Sequence, residues 1–198
     1  ATIEKLYVQK GSNEGVINGI VKKAREQKII VSFVDKTTLD RMSPSGRHQG
    51  IVANATDFKY CAVEDILDYA LTKNEPPFLL LLDSITDPHN LGSIIRTAEC
   101  AGVHGIIIPK HRSVTVNETV IKVSAGAAEH MKIAKVVNIN DTIRQLKEQN
   151  IYVYGTDMDG KTMYSANLTG AVAFVIGSEG EGIKRLTREL CDDIIKID

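Results

Sequence analysis

Two stretches of this 198-residue chain hold side chains whose types and spacing suit chemistry on a polar ligand. The first is Asp83-Ser84-Ile85-Thr86-Asp87-Pro88-His89-Asn90-Leu91-Gly92-Ser93-Ile94-Ile95-Arg96-Thr97-Ala98, and it follows an apolar run. In parallel sheets, ligands gather where strand C-termini meet helix N-termini, so a polar loop in that place is informative. Asn90 can cap a helix there, and Arg96 then lies nearly two turns into it. Gly92 in the first turn costs roughly 1 kcal/mol relative to Ala. A helix accepts that cost most readily where something must approach its backbone. A cap followed by a surface arginine accounts for the same residues without any ligand.

The second stretch is Phe174-Val175-Ile176-Gly177-Ser178-Glu179-Gly180-Glu181-Gly182-Ile183, in which an apolar run leads into alternating glycines. Glycines allow a tight turn and let a ligand touch the backbone. The spacing does not match G-x-G-x-x-G, and Glu179 and Glu181 would repel phosphate oxygens. Carboxylates in such a loop favour a cationic or hydroxyl-bearing ligand. S-adenosylmethionine, with its sulfonium, ammonium and ribose hydroxyls, has that character. A last strand over Asp192–Asp198 ends where a third ligand loop should begin.

These loops need a scaffold, and the hydropathy pattern supplies one. Apolar runs recur at 78–82, 105–108, 133–137, 151–154, 171–176 and 193–197, with amphipathic stretches at 91–101, 117–128, 141–149 and 183–191. Continuous Leu/Ile/Val runs without alternation predict strands buried on both faces, hence a doubly wound α/β domain with a parallel sheet. Residues 1–57 read as a smaller α/β unit. It has strands at Lys5–Val8, Lys28–Val34 and Gly50–Ala53, and a helix over Asn18–Gln27 with Ile20, Val21 and Ala24 on one face. Asp35 is placed to cap a short helix ending near Met42, and Ser43–Gly46 reads as a loop. Residues 58–77, with a helix over Val63–Leu71 and a Pro76-Pro77 break, form the linker.

Composition excludes several classes. Hydrophobic content of 43% and charged content of 25% are those of an ordinary globular protein. No apolar run reaches the roughly 18 residues of a membrane span, and the N-terminus lacks the features of a secretory signal. Cys61, Cys100 and Cys191 are too far apart for a metal motif and odd in number, which fits buried thiols in a reducing cytoplasm. Residues 1–57 carry nine Lys/Arg against six Asp/Glu, the remainder fifteen against nineteen. That excess suits a nucleic-acid contact, though a solvated face explains it equally well. Arg47 and His48, and Lys110 and Arg112 flanking His111, are the candidate nucleic-acid contacts. His104 and His130 form no ligand cluster, so no metal is expected. Asp157, Asp159 and Gly160 read as a turn. Only 5% of residues are aromatic, so any nucleic-acid recognition would rest on phosphate, shape and loops.

Taken together the motifs resemble those of the SpoU (TrmH) family of RNA ribose 2′-O-methyltransferases, over nearly the whole chain. Asp87–Gly92 through Arg96-Thr97-Ala98 resembles the family's first motif, N-x-G-x-x-x-R, and Val175–Gly182 its second. Ile106–Lys110 with Ser113–Thr115, and Ser124–Ala127 followed by Glu129-His130, are similar to the branch that modifies a guanosine of 23S ribosomal RNA. His48-Gln49-Gly50 is similar to the end of that branch's N-terminal substrate-binding domain, itself like ribosomal protein L30e. The resemblance implies an L30e-like domain over 1–57 and a trefoil-knotted methyltransferase domain over 78–198. It also implies a cytoplasmic homodimer with RNA lying across both subunits. The third motif, a Pro-Met-x-Gly loop and an Asn/Ser-rich helix, should begin at position 198, so the domain reads as C-terminally incomplete and its knot with it.

Carried over, Asn90 and Glu179 shape the catalytic loop and Arg96 acts at the target ribose. Gly177 and Ile197 touch S-adenosylmethionine through their backbones, with Ile176, Gly182 and Thr156 lining the same pocket. A guanidinium stays protonated and has no acceptor, so Arg96 reads as holding the adjacent phosphate and stabilising alkoxide charge. The rival expectation is a non-catalytic RNA-binding module, or a fragment without a complete cofactor site. A nicotinamide dehydrogenase is disfavoured by the missing dinucleotide fingerprint.

Overall fold

The computed structural model describes residues 2–12, 15–43, 46–56 and 58–197, and the chain divides into two compact units, Ala1–Lys59 and Tyr60–Asp198. Pro44 and Ser45 of the expected loop, and Asp198 at the expected third ligand loop, lie outside the described residues.

In the first unit β1 (Thr2–Gln9) is the central strand, parallel to β2 (Ile30–Val34) and antiparallel to β3 (Ile51–Thr56). Two helices, α1 (Gly15–Glu26) and α2 (Lys36–Met42), complete it. Helical periodicity buries Ile17, Val21 and Ala24 of α1 against Leu6 and Val8. Ile20, expected on that face, is 39% exposed instead. With Ile17, Val21 and Ala24 setting the stripe, Ile20 points about 100° away from Val21. Asp35 does precede α2, but its carboxylate makes no capping bond and pairs with Lys10 at 3.4 Å.

The second unit is a parallel α/β sheet. Its strands are β4 (Phe78–Leu82), β5 (Gly105–Pro109), β6 (Ile133–Val136), β7 (Tyr152–Thr162), β8 (Val172–Ile176) and β9 (Asp193–Lys196), in spatial order β6-β5-β4-β8-β7-β9. Every pairing is parallel. The helices are α3 (Val63–Thr72), α4 (Pro88–Cys100), α5 (Glu118–Val123), α6 (Ile139–Glu148) and α7 (Arg185–Leu190). Ile106, Ile107 and Ile108 are successive and fully buried, which requires cover on both faces of β5. The segment read as a linker carries α3, whose Ile66 is fully buried in this unit's core. A Cβ on Gly105 would meet Ile66 at 2.5 Å, so α3 packs directly on β5.

Two elements depart from the sequence reading. The helix expected over 117–128 is α5 alone, because Ala125 (φ 52°) and Gly126 (φ 92°) enter the left-handed region and end it. β7 runs past Thr156, and its pairing with β9 jumps from Thr156↔Ile195 to Lys161↔Ile195. The expected turn at Asp157–Gly160 is thus a four-residue bulge inside a strand. Cys61 and Cys191 are half-buried free thiols, and Cys100 is exposed rather than buried. Burial, with Asp192 adding to it, pushes the Cys191 thiol up to about 11. Among the described residues no helix is long and apolar enough to cross a membrane.

Candidate active site at the reversal of strand order

From β4 the chain adds β5 and β6 on one side, then crosses to β7 and returns with β8 beside β4. Ligands in open parallel sheets bind at such a reversal, beyond the C-terminal strand ends. Here those ends are Leu82-Asp83 and Ile176-Gly177, tied by the Asp83 N–H donating to the Ile176 carbonyl at 2.8 Å. Both motif stretches begin at this junction.

Asp87, not Asn90, caps α4: its carboxylate accepts from the His89 N–H at 3.1 Å, and Pro88 opens the helix. Asn90 therefore lies inside the first turn with its amide available, and Nδ2 donates to Glu179 Oε2 at 3.2 Å. That bond joins residues 89 positions apart and links the two motifs. Gly92 is explained by a neighbour of its own chain. A Cβ there would lie 2.7 Å from Val123 Cβ on α5, so the element approaching its backbone is a helix rather than a ligand.

The glycines of the second stretch close a loop on itself. Ser178 N–H donates to the Gly182 carbonyl at 3.1 Å, and Gly182 N–H returns to Ser178 at 2.9 Å. A Cβ on Gly177 would fall 2.0 Å from the Gly182 carbonyl carbon. The closed loop forms one wall of a cavity of about 400 Å³ beyond β7, β8 and β9. Thr156, Ile176, Gly177, Gly182 and Ile197, the residues read as cofactor-binding, all line it, together with Asp157 and Glu181. A second, apolar cleft of about 360 Å³ shares Thr156, Ile176 and Ile197 and is walled by Ile94 and Thr97 of α4.

Behind the loops stands a polar brace that the sequence reading missed. Asp83, 4% exposed, accepts from Lys184 Nζ at 2.7 Å and from Ser84 Oγ at 2.9 Å. Thr187 Oγ1 lies 3.3 Å from Asp83 and 2.9 Å from Asn140 Oδ1. Burial works to raise the Asp83 carboxyl, but the bonds from Lys184 and Ser84 outweigh it and hold the group below its ordinary range. On the far side of the cavity Arg188 donates to Asp157 at 2.5 Å and to Asp159 at 2.8 Å, fixing the β7 bulge. Lys184 and Arg188 sit on and beside α7, outside both motifs, and only their spacing of four marked them as sharing a helix face.

Arg96 is exposed on α4 and, among the described residues, has no hydrogen-bond or ion-pair partner. Lys110 and the exposed Arg112 follow β5 at the same edge of the sheet as the site. Arg47 and His48 belong to the first unit. Arg47 is exposed, whereas the His48 ring is 5% exposed and bonded through both nitrogens, so it supports a turn rather than reaching outward. His104 is also occupied: Nδ1 accepts from Phe78 N–H and Nε2 faces Glu75, each at 3.0 Å. No group of three or more His, Cys, Asp or Glu among the described residues is arranged to hold a metal ion.

Comparison with known proteins places this geometry. The SpoU rRNA Methylase family matches residues 77–198, well over half of the chain. The chain belongs to that family. Residues 1–61 match the domain described as RNA 2′-O ribose methyltransferase substrate binding. The chain is 43% identical to the 23S rRNA (guanosine-2′-O-)-methyltransferase RlmB of Neisseria meningitidis, covering 99% of this chain and 78% of that protein. It is 38% identical to RlmB of Escherichia coli K12, over 98% and 80% respectively. Among solved structures, the SpoU methyltransferase AviRb from Streptomyces viridochromogenes, in complex with AdoMet, aligns with a TM-score of 0.61. That alignment covers 98% of this chain and 73% of AviRb at 21% identity, a likeness of fold.

Proposed function

We propose that this SpoU-family chain transfers a methyl group from S-adenosylmethionine to a ribose 2′-hydroxyl of RNA, at a guanosine of 23S ribosomal RNA. The observation that carries the reading is the Asn90–Glu179 bond, which ties the first family motif to the second, whose loop walls the cavity. The cavity suits the cofactor chemically. Glu181 can complement sulfonium or ammonium charge, Asp157 being already paired with Arg188, and the backbone of the closed loop forms a wall that a ligand can lie against. Thr156, Ile176, Gly177, Gly182 and Ile197 would hold it. When bound, S-adenosylmethionine supplies an electrophilic methyl group.

The residues of this chain then have three tasks. The Asn90–Glu179 pair sets the shape of the loop beside the reacting groups, so that attack is a matter of alignment. Arg96 holds the phosphate next to the target ribose and stabilises charge developing on its 2′-oxygen, as a permanently protonated guanidinium can. Lys110 and Arg112, with Arg47 of the first unit, hold RNA through phosphates and set its register. The 1–57 unit delivers the substrate. We further propose that the enzyme works in the cytoplasm as a homodimer, uses no metal and has the family's trefoil knot. The apolar cleft beside α4 supports a subunit contact there.

The test is incorporation of labelled methyl from S-adenosylmethionine into unmodified bacterial 23S ribosomal RNA, read as an alkali-resistant dinucleotide. Arg96→Ala should abolish transfer and leave cofactor affinity within a few-fold. Undiminished transfer would sink the role of Arg96. RNA binding without any cofactor binding would sink the enzyme.

A further inference from the structure

We infer that the first unit carries a base-reading pocket, in which the Gln49 amide recognises an unpaired RNA base and His48 and Asp40 brace the turn that presents it. The inference rests on the RNA-methyltransferase reading and goes beyond it by naming the site and the group recognised.

The turn itself is unusual. Ile51 N–H donates to the His48 carbonyl at 2.9 Å, while Gln49 (φ 48°) and Gly50 (φ 80°) are both left-handed, which defines a type I′ turn. Gly50 is required there, since its φ is positive and a Cβ would lie 3.1 Å from Ile17 Cδ1. Gln49 has no such reason. Asn, Asp or Gly suits the first central position, and a longer side chain at positive φ is strained.

The surroundings enforce that strain. His48 Nδ1 accepts from Gly50 N–H at 3.0 Å, so the ring proton is on Nε2, which faces Asp40 Oδ1 of α2 at 2.8 Å. The ring is buried, and both its nitrogens are committed to holding Gln49 in place.

Gln49 borders a cavity of about 670 Å³, walled by Val16 and Ile20 of α1 and rimmed by Gln9 and Ser12. Among the described residues the side chains of Gln9, Ser12 and Gln49 have no hydrogen-bond partner. Val16 and Ile20 are 75% and 39% exposed. The lining is more polar than apolar, and a small aliphatic wall beside convergent, unsatisfied polar groups suits a ligand that is flat with a polar edge. A nucleobase matches both parts: its face covers the aliphatic wall, and its edge meets an amide with one acceptor and two donors. Glutamine pairs bidentately with the N6 and N7 edge of adenine. The excess of Lys/Arg in residues 1–57 favours a base that belongs to a polyanion.

The experiment is a fluorescence-anisotropy titration of the full chain with single-stranded RNAs of ~10 nucleotides, composed of A, of C, of U, or of mixed G and U. The A-rich RNA should bind tightest. Gln49→Ala should weaken it about tenfold, leave the others within about twofold, and keep the salt slope, because no phosphate contact is lost. Gln49→Gly relieves the positive φ, so it should melt no lower than the parent while losing the same affinity. A purely structural Gln49 would show the opposite. His48→Asn, which keeps an acceptor for Gly50 N–H, should retain adenine preference, and His48→Phe should lose it. The pocket is overturned by unchanged adenine binding in Gln49→Gly, by equal losses on all RNAs, or by no binding of any. S-adenosylmethionine binding, followed by calorimetry on the same samples, should be unaltered in the variants. Its absence from the parent chain would sink the methyltransferase reading separately.

Discussion

Lys184 donates to Asp83 at 2.7 Å across 101 positions of sequence, and it does so at the β4/β8 junction where the two motif loops start. The Asp83 carboxyl is held below its unfolded value by that bond, against the upward push of burial. A group depressed in the folded state adds stability that is present above its unfolded pKa and lost as pH falls through its folded pKa. Asp83→Asn should therefore lower unfolding free energy by about 1–3 kcal/mol at neutral pH, a range that allows for the half-exposed Lys184. The gap should narrow below pH ~4. Urea unfolding at neutral and acid pH measures this, and a gap of constant size would contradict the assigned pairing.

The Asn90–Glu179 bond makes a different prediction, because its two ends act as one unit. Asn90→Ala and Glu179→Ala should each reduce methyl transfer by roughly 10²-fold through misalignment, with little change in melting temperature. Coupled residues are not additive, so the double variant should be no slower than the worse single one. A product of the two losses in the double variant would mean that the side chains work independently.

Those two contacts also mark how much a reader of the sequence could see. The strand runs from 78 to 197 were plain because β4, β5 and β8 are buried on both faces, which erases polar alternation. The cavity-lining set at 156, 176, 177, 182 and 197 was accessible through the family resemblance, and Ile176, Gly177 and Ile197 also sit at or beside a strand end, whereas Thr156 lies within β7 and Gly182 in the closed loop. The cap of α4 was misplaced by three residues, since Asp87 and Asn90 are equally good capping types and only Pro88 distinguishes them. Gly92 and Gly177 were legible as close approaches, but not what approaches: in both cases it is the chain itself. The Asp83–Lys184 and Arg188 contacts depend on side chains reaching between remote elements, and no local pattern encodes that.

The closed loop gives a graded glycine test. Gly177→Ala places a Cβ against the backbone of Gly182, which cannot move aside without breaking the Ser178–Gly182 bonds. Gly180 has open space but φ 88°, so alanine there meets only conformational strain of about 1–2 kcal/mol. Calorimetric titration with S-adenosylmethionine should thus find binding lost in Gly177→Ala and merely weakened in Gly180→Ala. The reverse order would show that the loop is not closed in solution as it is here.

Arg188 allows the cofactor wall to be perturbed without touching it. Its guanidinium grips Asp157 and Asp159 with separate nitrogens, and a Cβ on Gly160 would lie 2.5 Å from the Ile195 carbonyl carbon. The bulge is therefore trapped between α7 and the β9 backbone, with Asp157 forming part of the cavity. Arg188→Ala leaves two neighbouring carboxylates without their shared cation, and their repulsion should splay the bulge. Asp159 is largely exposed and the Arg188–Asp157 pair only partly so, and melting temperature should fall modestly. Affinity for S-adenosylmethionine should fall several-fold, and Arg188→Lys should recover only part of it, since one ammonium lacks the planar fork that holds two carboxylates at once. If binding survives intact in Arg188→Ala, the bulge holds its shape through β9 alone, and the arginine has no part in the site.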